Sequence, residues 1–150
     1  MEIYNLKDRL EYLDEVATLE YEEWASNKED NKQERIEKKK LKITNMFEDK
    51  SFCKLILLDK DILIGFISLF PYDGEEEKEL TPWYATMYVK KEYRNLRYSK
   101  ILHNAILTEA KNRGFKTIYL KTNLINYYEK FGAEFIKTLN SGEKLYKIEL

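Results

Sequence analysis

Hydrophobic positions change their period several times along the chain, and each change marks an element. In residues 6–24, Leu6, Leu10, Leu13, Ala17, Tyr21 and Trp24 recur at three- and four-residue spacing with charged residues between them, the pattern of an amphipathic helix. Asn5 can cap it, with Asp8 at the third helical position. Ser26 with Glu29 forms a second capping box. It opens a stretch, 27–42, that is almost all charge and amide, broken by Ile36 and followed by Leu41, Ile43, Met46 and Phe47. This reads as a helix solvated in its first half and packed in its second, or as a mobile lid.

Periodicity then shifts to that of strands. Residues 52–58 and 62–70 are apolar runs joined by Asp59-Lys60-Asp61, which predicts a hairpin. Gly65 inside the second run predicts a bulge or a close backbone approach. A turn at 71–74 and an acidic loop at 75–79 lead to a strand at 83–89. A helix over 99–113 carries Ile101, Leu102, Ala105 and Ile106 toward the core and stops at Gly114. The remainder reads as a strand at 117–122, a short helix at 125–131 ending at Gly132, and strands at 133–138 and 145–150 around a turn at 140–142. Helices, a meander, a strand–helix–strand crossover and a terminal hairpin predict one α+β domain over residues 1–150.

Composition narrows the function. The chain is 35% charged, yet 26 basic and 27 acidic residues leave a net charge of −1, without an electrostatic footprint for nucleic acid or an anionic membrane. The single cysteine, Cys53, permits no internal disulfide and suits a small core hydrophobe. One histidine, His103, makes no metal cluster, and its displacement from the apolar stripe predicts a surface or edge position. No apolar run approaches a membrane span and no signal peptide is evident, so the expectation is a cytoplasmic protein without metal.

The chemistry concentrates in residues 82–102. A strand rich in aromatic and β-branched residues passes through a basic connection into a helix N-terminus, a layout that turns backbone N–H groups toward a phosphate. The run Val89-Lys-Lys-Glu-Tyr-Arg94-Asn-Leu-Arg97-Tyr-Ser99, followed downstream by Tyr127-Tyr128-Glu-Lys-Phe-Gly132, resembles the two signature regions of the GNAT N-acetyltransferase superfamily. The resemblance covers essentially the whole chain. It implies a mixed, mostly antiparallel sheet flanked by helices, with a splayed central strand pair. It also implies acetyl-CoA as co-substrate, a small-molecule primary amine as acceptor, and a homodimer.

By this resemblance Arg94, Asn95, Leu96, Arg97, Tyr98, Ser99 and Lys100 form the loop that binds the pyrophosphate. A backbone N–H near Tyr88 or Val89 would bind the thioester carbonyl, and Asn123 would touch pantetheine. Tyr128 would protonate the leaving thiolate; a phenol of pKa about 10 opposite a thiol of about 8.5 is uphill by only about 1.5 units. The loop departs from the family pattern in having no glycine: Arg97 stands at the first glycine position and Ser99 at the last small one. Arg97 can bind phosphate directly or fold over the site.

Asp73 and Glu79 flank the acidic loop and are candidates for the base or for a cation anchor, unless the loop is merely solvated. Trp83 and Tyr84 are candidates for the acceptor pocket, although strand alternation sends one of them into the core. Tyr128 itself has a purely structural alternative as a core tyrosine. Two rival functions stand beside N-acetylation: transfer of a longer acyl group, and a GNAT-like fold with lost CoA binding that serves as a ligand-binding or assembly module.

Overall fold

A computed structural model describes residues 1–25 and 31–150. Seven strands form one mixed sheet in the order β1-β2-β3-β4-β5-β7-β6. They are β1 (Glu2–Asn5), β2 (Cys53–Asp59), β3 (Ile62–Phe70), β4 (Trp83–Val89), β5 (Thr117–Thr122), β6 (Glu134–Thr138) and β7 (Lys144–Glu149). Three α-helices accompany them: α1 (Leu13–Trp24), α2 (Lys32–Met46) and α3 (Tyr98–Asn112). All neighbouring strands are antiparallel except β4 and β5. The class is α+β, as the element pattern implies.

The strand boundaries fall within a residue or so of those expected, because each run is closed by a turn with its own chemistry. Asp59 pairs with Ile62, so Lys60 and Asp61 are the two central hairpin residues. Both have positive φ, the geometry of the turn that matches strand twist. The first strand was not expected: Glu2–Asn5 pairs with Leu55–Leu58, and four residues are too few to show a period. Residues 6–12 form two 3-10 turns, and the regular helix begins only at Leu13. Asn5 caps the first turn by accepting from the Lys7 amide at 3.1 Å. The Ser26–Glu29 capping box lies outside the described residues. Asn31 caps α2 through the Glu34 amide. Ile36 and Ile43 are buried along α2, whereas Leu41 is exposed.

The sheet has a core on each face. One lies under α3 and includes Leu55, Ile67, Tyr84, Leu102 and Ile106. The other lies under α1 and α2 and includes Val16, Tyr21, Ile36, Ile56 and Phe66. His103 corrects the sequence reading: it is 4% exposed, within the buried stripe of Leu102, Ile106 and Ala110, while Ile101 is 40% exposed. Cys53 is buried, and burial pushes its thiol up to about 12. This removes it as a nucleophile at neutral pH.

Two irregularities shape β4. Gly65 faces Val89 across the ladder, and a Cβ there would sit 2.3 Å from the Tyr88 carbonyl oxygen. Only glycine allows that approach. Further along, Phe66 pairs with Tyr88 and Ser68 with Ala85, so Ile67 opposes both Thr86 and Met87. That bulge holds Thr86 at φ 48°, a true outlier for a β-branched residue. Gly65→Ala is expected to destabilise the fold by about 2 kcal/mol through overpacking, read as a lower urea midpoint. An unchanged midpoint would show that β3 and β4 can separate without cost.

Candidate active site

β4 is paired to its parallel neighbour at one position only. Trp83 is in register with Tyr119, and the Tyr119 amide donates to the Pro82 carbonyl at 3.0 Å. Beyond that point the strands diverge, and the opening is lined by two cavities that meet at Met87.

The first cavity, about 540 Å³, is lined by Glu23, Met87, Tyr88, Val89, Tyr93, Arg94, Asn95, Arg97, Tyr98 and Ser99. Its wall is the connection into α3. Arg94 stiffens this connection: its Nε donates to the Val89 carbonyl at 2.7 Å, and its guanidinium lies 5.5 Å from the Tyr88 ring centroid. Asn95 and Arg97 both adopt left-handed backbone, with φ 66° and 67°. Asparagine tolerates this geometry; arginine does so at a cost of about 1 kcal/mol. Arg97 is also the N-cap of α3, makes no side-chain cap, and is followed by a first turn without an acidic residue. Arg97 and Lys100 therefore add positive charge where the helix dipole is already positive. An anion bound there would relieve both effects. Of the expected loop residues, Leu96 and Lys100 are exposed and do not line the cavity.

The amide of Lys90 donates to Ile64 on β3 at 3.0 Å. Successive amides of a strand point to opposite edges, so that of Val89 faces the split from β5. This is the orientation expected for a carbonyl-binding donor.

The second cavity, about 380 Å³, is lined by Trp24, Asp73, Tyr84, Ala85, Thr86, Met87, Leu120, Lys121, Tyr128 and Glu143. Tyr128 arrives on the short 3-10 turn Tyr128–Phe131, closed by Gly132 at φ 89°. Burial, and then the neighbouring Tyr127 hydroxyl, push its phenol above the usual tyrosine range, so it stays protonated. Its ring packs edge-on against Tyr84 at 5.9 Å. Tyr84 Oη lies 3.0 Å from His103 Nδ1. Burial raises the Tyr84 phenol and lowers the His103 imidazole, so both are neutral. We assign Nδ1 as acceptor from the phenol, with the ring proton on Nε2. On the same cavity's wall, Lys121 Nζ lies 4.0 Å from Asp73 and 3.9 Å from Glu143. Desolvation raises the Asp73 carboxyl. Two carboxylates around one ammonium leave this wall net acidic.

The remaining candidates lie outside the two cavities. Trp83 is fully buried on the other side of the strand beside Leu139 and Leu145, donating Nε1 to the Leu80 carbonyl at 2.8 Å. Alternation thus gives the pocket to Tyr84. Glu79 is exposed and lines neither cavity. The acidic loop is a fastening: Glu76 accepts from the Asn140 and Ser141 amides, and Glu77 pairs with Lys137. Asn123 is exposed just past the end of β5 and lines neither cavity. Trp24, Lys121, Glu143 and Thr86 escaped the sequence reading because each is brought in from a separate element or by the bulge.

The sequence model of the Acetyltransferase (GNAT) family matches residues 11–133. No curated protein matches the sequence. Among solved structures, an aminoglycoside 6'-acetyltransferase type Ii superposes with TM-score 0.73 at 20% identity, covering 99% of this chain and 97% of that one. An aminoglycoside 6'-N-acetyltransferase complexed with coenzyme A gives TM-score 0.73 at 19% identity and the same coverage. The PaiA N-acetyltransferase of Thermoplasma acidophilum, also in complex with coenzyme A, gives 0.63 at 21% identity over the full length of both chains.

Replacing Arg97 by glycine is expected to raise unfolding free energy by about 1 kcal/mol in the absence of ligand, since the left-handed strain disappears. Thermal unfolding should rise by roughly 2–4 °C. An equal or lower midpoint would mean that the arginine side chain supplies more than its backbone costs.

Proposed function

The chain belongs to the acetyltransferase (GNAT) family, and from that premise we propose that it moves an acetyl group from acetyl-CoA to a primary amine of a small cationic molecule. The observation that carries this reading is the split of β4 from β5, which joins an anion-suited loop to a cavity holding a protonated phenol.

The residues present fit the co-substrate. Arg97, Tyr98 and Ser99, at the start of α3, would hold the pyrophosphate by backbone N–H groups and dipole; the left-handed turns at Asn95 and Arg97 aim that backbone. When bound, acetyl-CoA supplies an activated acyl group whose thiolate leaves without metal assistance. Val89 directs its amide toward the split, where it stabilises negative charge developing on the carbonyl oxygen. Tyr128 holds a proton at its Oη for the departing sulfur. Burial makes it a weaker acid than free tyrosine, so the transfer must be concerted with bond breaking.

The acceptor side favours a cation. Asp73 and Glu143 face the cavity with only Lys121 between them, and a second positive group on the acceptor can compete for either carboxylate. Trp24 adds an aromatic face to the cavity. That some of the most similar structures are aminoglycoside acetyltransferases supports a polycationic acceptor.

Thiol release from acetyl-CoA should be measured against spermidine, kanamycin and a neutral monoamine. Turnover is expected with the polycations in preference to the monoamine. Tyr128→Phe should lower kcat by about 100-fold while KM for acetyl-CoA stays within twofold. Full turnover by Tyr128→Phe removes the phenol from the mechanism. Thiol release with none of the amines favours the alternative of a binding or assembly module.

A further inference from the structure

A primary amine enters the cavity mostly as its ammonium at neutral pH, and attack requires that one proton leave. Asp73 and Glu143 both flank Lys121, at 4.0 and 3.9 Å. The cavity wall offers another route at the bulge. Thr86 lines the cavity, and its hydroxyl donates to Ser68 Oγ at 2.6 Å. Ser68 Oγ is also 2.6 Å from Lys54 Nζ, directly across the β2–β3 ladder. Lys54 Nζ is 3.5 Å from Thr86 Oγ1 and pairs closely with Glu20 on α1. Glu20 Oε2 lies 3.5 Å from Lys39 on α2, whose side chain is 31% exposed. A polar row therefore crosses three strands beneath α1, from the cavity to solvent.

This row is out of place in its surroundings. Lys54 is 0% exposed, Ser68 0% and Glu20 4%, and the residues beside them on β2 and β3 are almost all apolar. A buried lysine–glutamate pair adds little stability over an apolar pair of equal volume. Thr86 also holds a backbone conformation that costs on the order of 1–3 kcal/mol. A path for a proton gives the buried row and the placement of Thr86 a common use.

We propose that Thr86, Ser68 and Lys54 form a proton relay that deprotonates the acceptor amine, with Lys54 as the terminal base; the role rests on the acetyltransferase reading above. Thr86 Oγ1 takes a proton from the acceptor ammonium as its own proton passes to Ser68 Oγ. The Ser68 proton passes to the lone pair of Lys54 Nζ. The ammonium becomes a neutral amine, the neutral lysine becomes an ammonium, and both hydroxyls are restored. Lys54 afterwards passes the proton to the Glu20 carboxylate, which releases it to water at the partly exposed end beside Lys39.

The relay requires Lys54 to be neutral in the resting protein. Burial lowers its basicity, and the Glu20 carboxylate opposes this in part. The charged groups facing it are Glu20 from α1 and Lys39 from α2. From β3 come Ser68 and the Phe66 and Phe70 rings, with centroids 5.5 and 5.4 Å from Nζ, and from β4 comes Thr86. Lys39 lowers the basicity of Lys54 further.

Thr86→Val and Ser68→Ala remove one hydroxyl each and leave the Lys54–Glu20 pair in place. With the best amine of the panel, each should lower kcat by about 30–100-fold at pH 7. Activity should return with a tenfold rise per pH unit and approach the wild type near the amine's own pKa, with KM for acetyl-CoA unchanged. NMR titration of lysine labelled at the side-chain nitrogen should place Lys54 below the ordinary lysine value of about 10.4 in wild type and in Ser68→Ala alike. Wild-type pH profiles in both variants, or Lys54 titrating at the ordinary value, overturn the relay alone. Absence of turnover by the wild type with every amine overturns the acetyltransferase reading and the relay with it.

Discussion

β4 cannot stay hydrogen-bonded along its length to both neighbours, and the site follows from how that conflict is resolved. It remains with β3, where Gly65 lets the backbones approach, and leaves β5 after Trp83. Antiparallel β3 is joined by many cross-strand pairs, while the parallel β5 pairing is held at one register position. The divergence exposes strand backbone that a closed sheet would consume. It also makes a groove whose two ends are chemically different, a basic helix start at one and a tyrosine at the other.

The bulge at Thr86 distributes functions between the faces. Tyr84 and Met87, an odd number of residues apart, both lie on the α3 side, where regular alternation would separate them. Tyr84 there meets His103 and Tyr128. Thr86 and Tyr88 turn to the α1–α2 side and meet Ser68 and Phe66. One extra residue in one strand thus puts a neutral aromatic cluster and a buried ionic row against the same cavity. Glu20 and Lys39 tie that row to α1, whose Trp24 lines the cavity, and to α2.

Elements with a clean period and a chemical stop were legible in the sequence. The β2–β3 hairpin, β4, α3 and β5 have all of these, and Gly65 signalled a close approach that is found. β1 was too short to show a period. His103 was misplaced because the α3 stripe is rotated by one residue toward Leu102 and Ala110, which no composition rule reports. Trp83 and Tyr84 were equivalent until the sheet fixed which face was core. Tyr128 and the loop at 94–99 were singled out through the family resemblance and line the two cavities, while Lys121 and Glu143 meet only once β5 and the final hairpin are in register. Lys54 and Ser68, polar positions within apolar runs, were a visible signal whose meaning needed the neighbouring strand.

The central claim is that the split between β4 and β5 is a coenzyme A groove with its phosphate end at residues 94–99. Calorimetric titration with CoA tests it most directly. The account predicts one-to-one binding of about micromolar strength or tighter, weakened severalfold when salt is raised from about 50 to about 500 mM, as charge-assisted phosphate contacts require. No heat of binding at about millimolar CoA would contradict it, and would leave the strained basic turn at Arg97 without the anion that accounts for it.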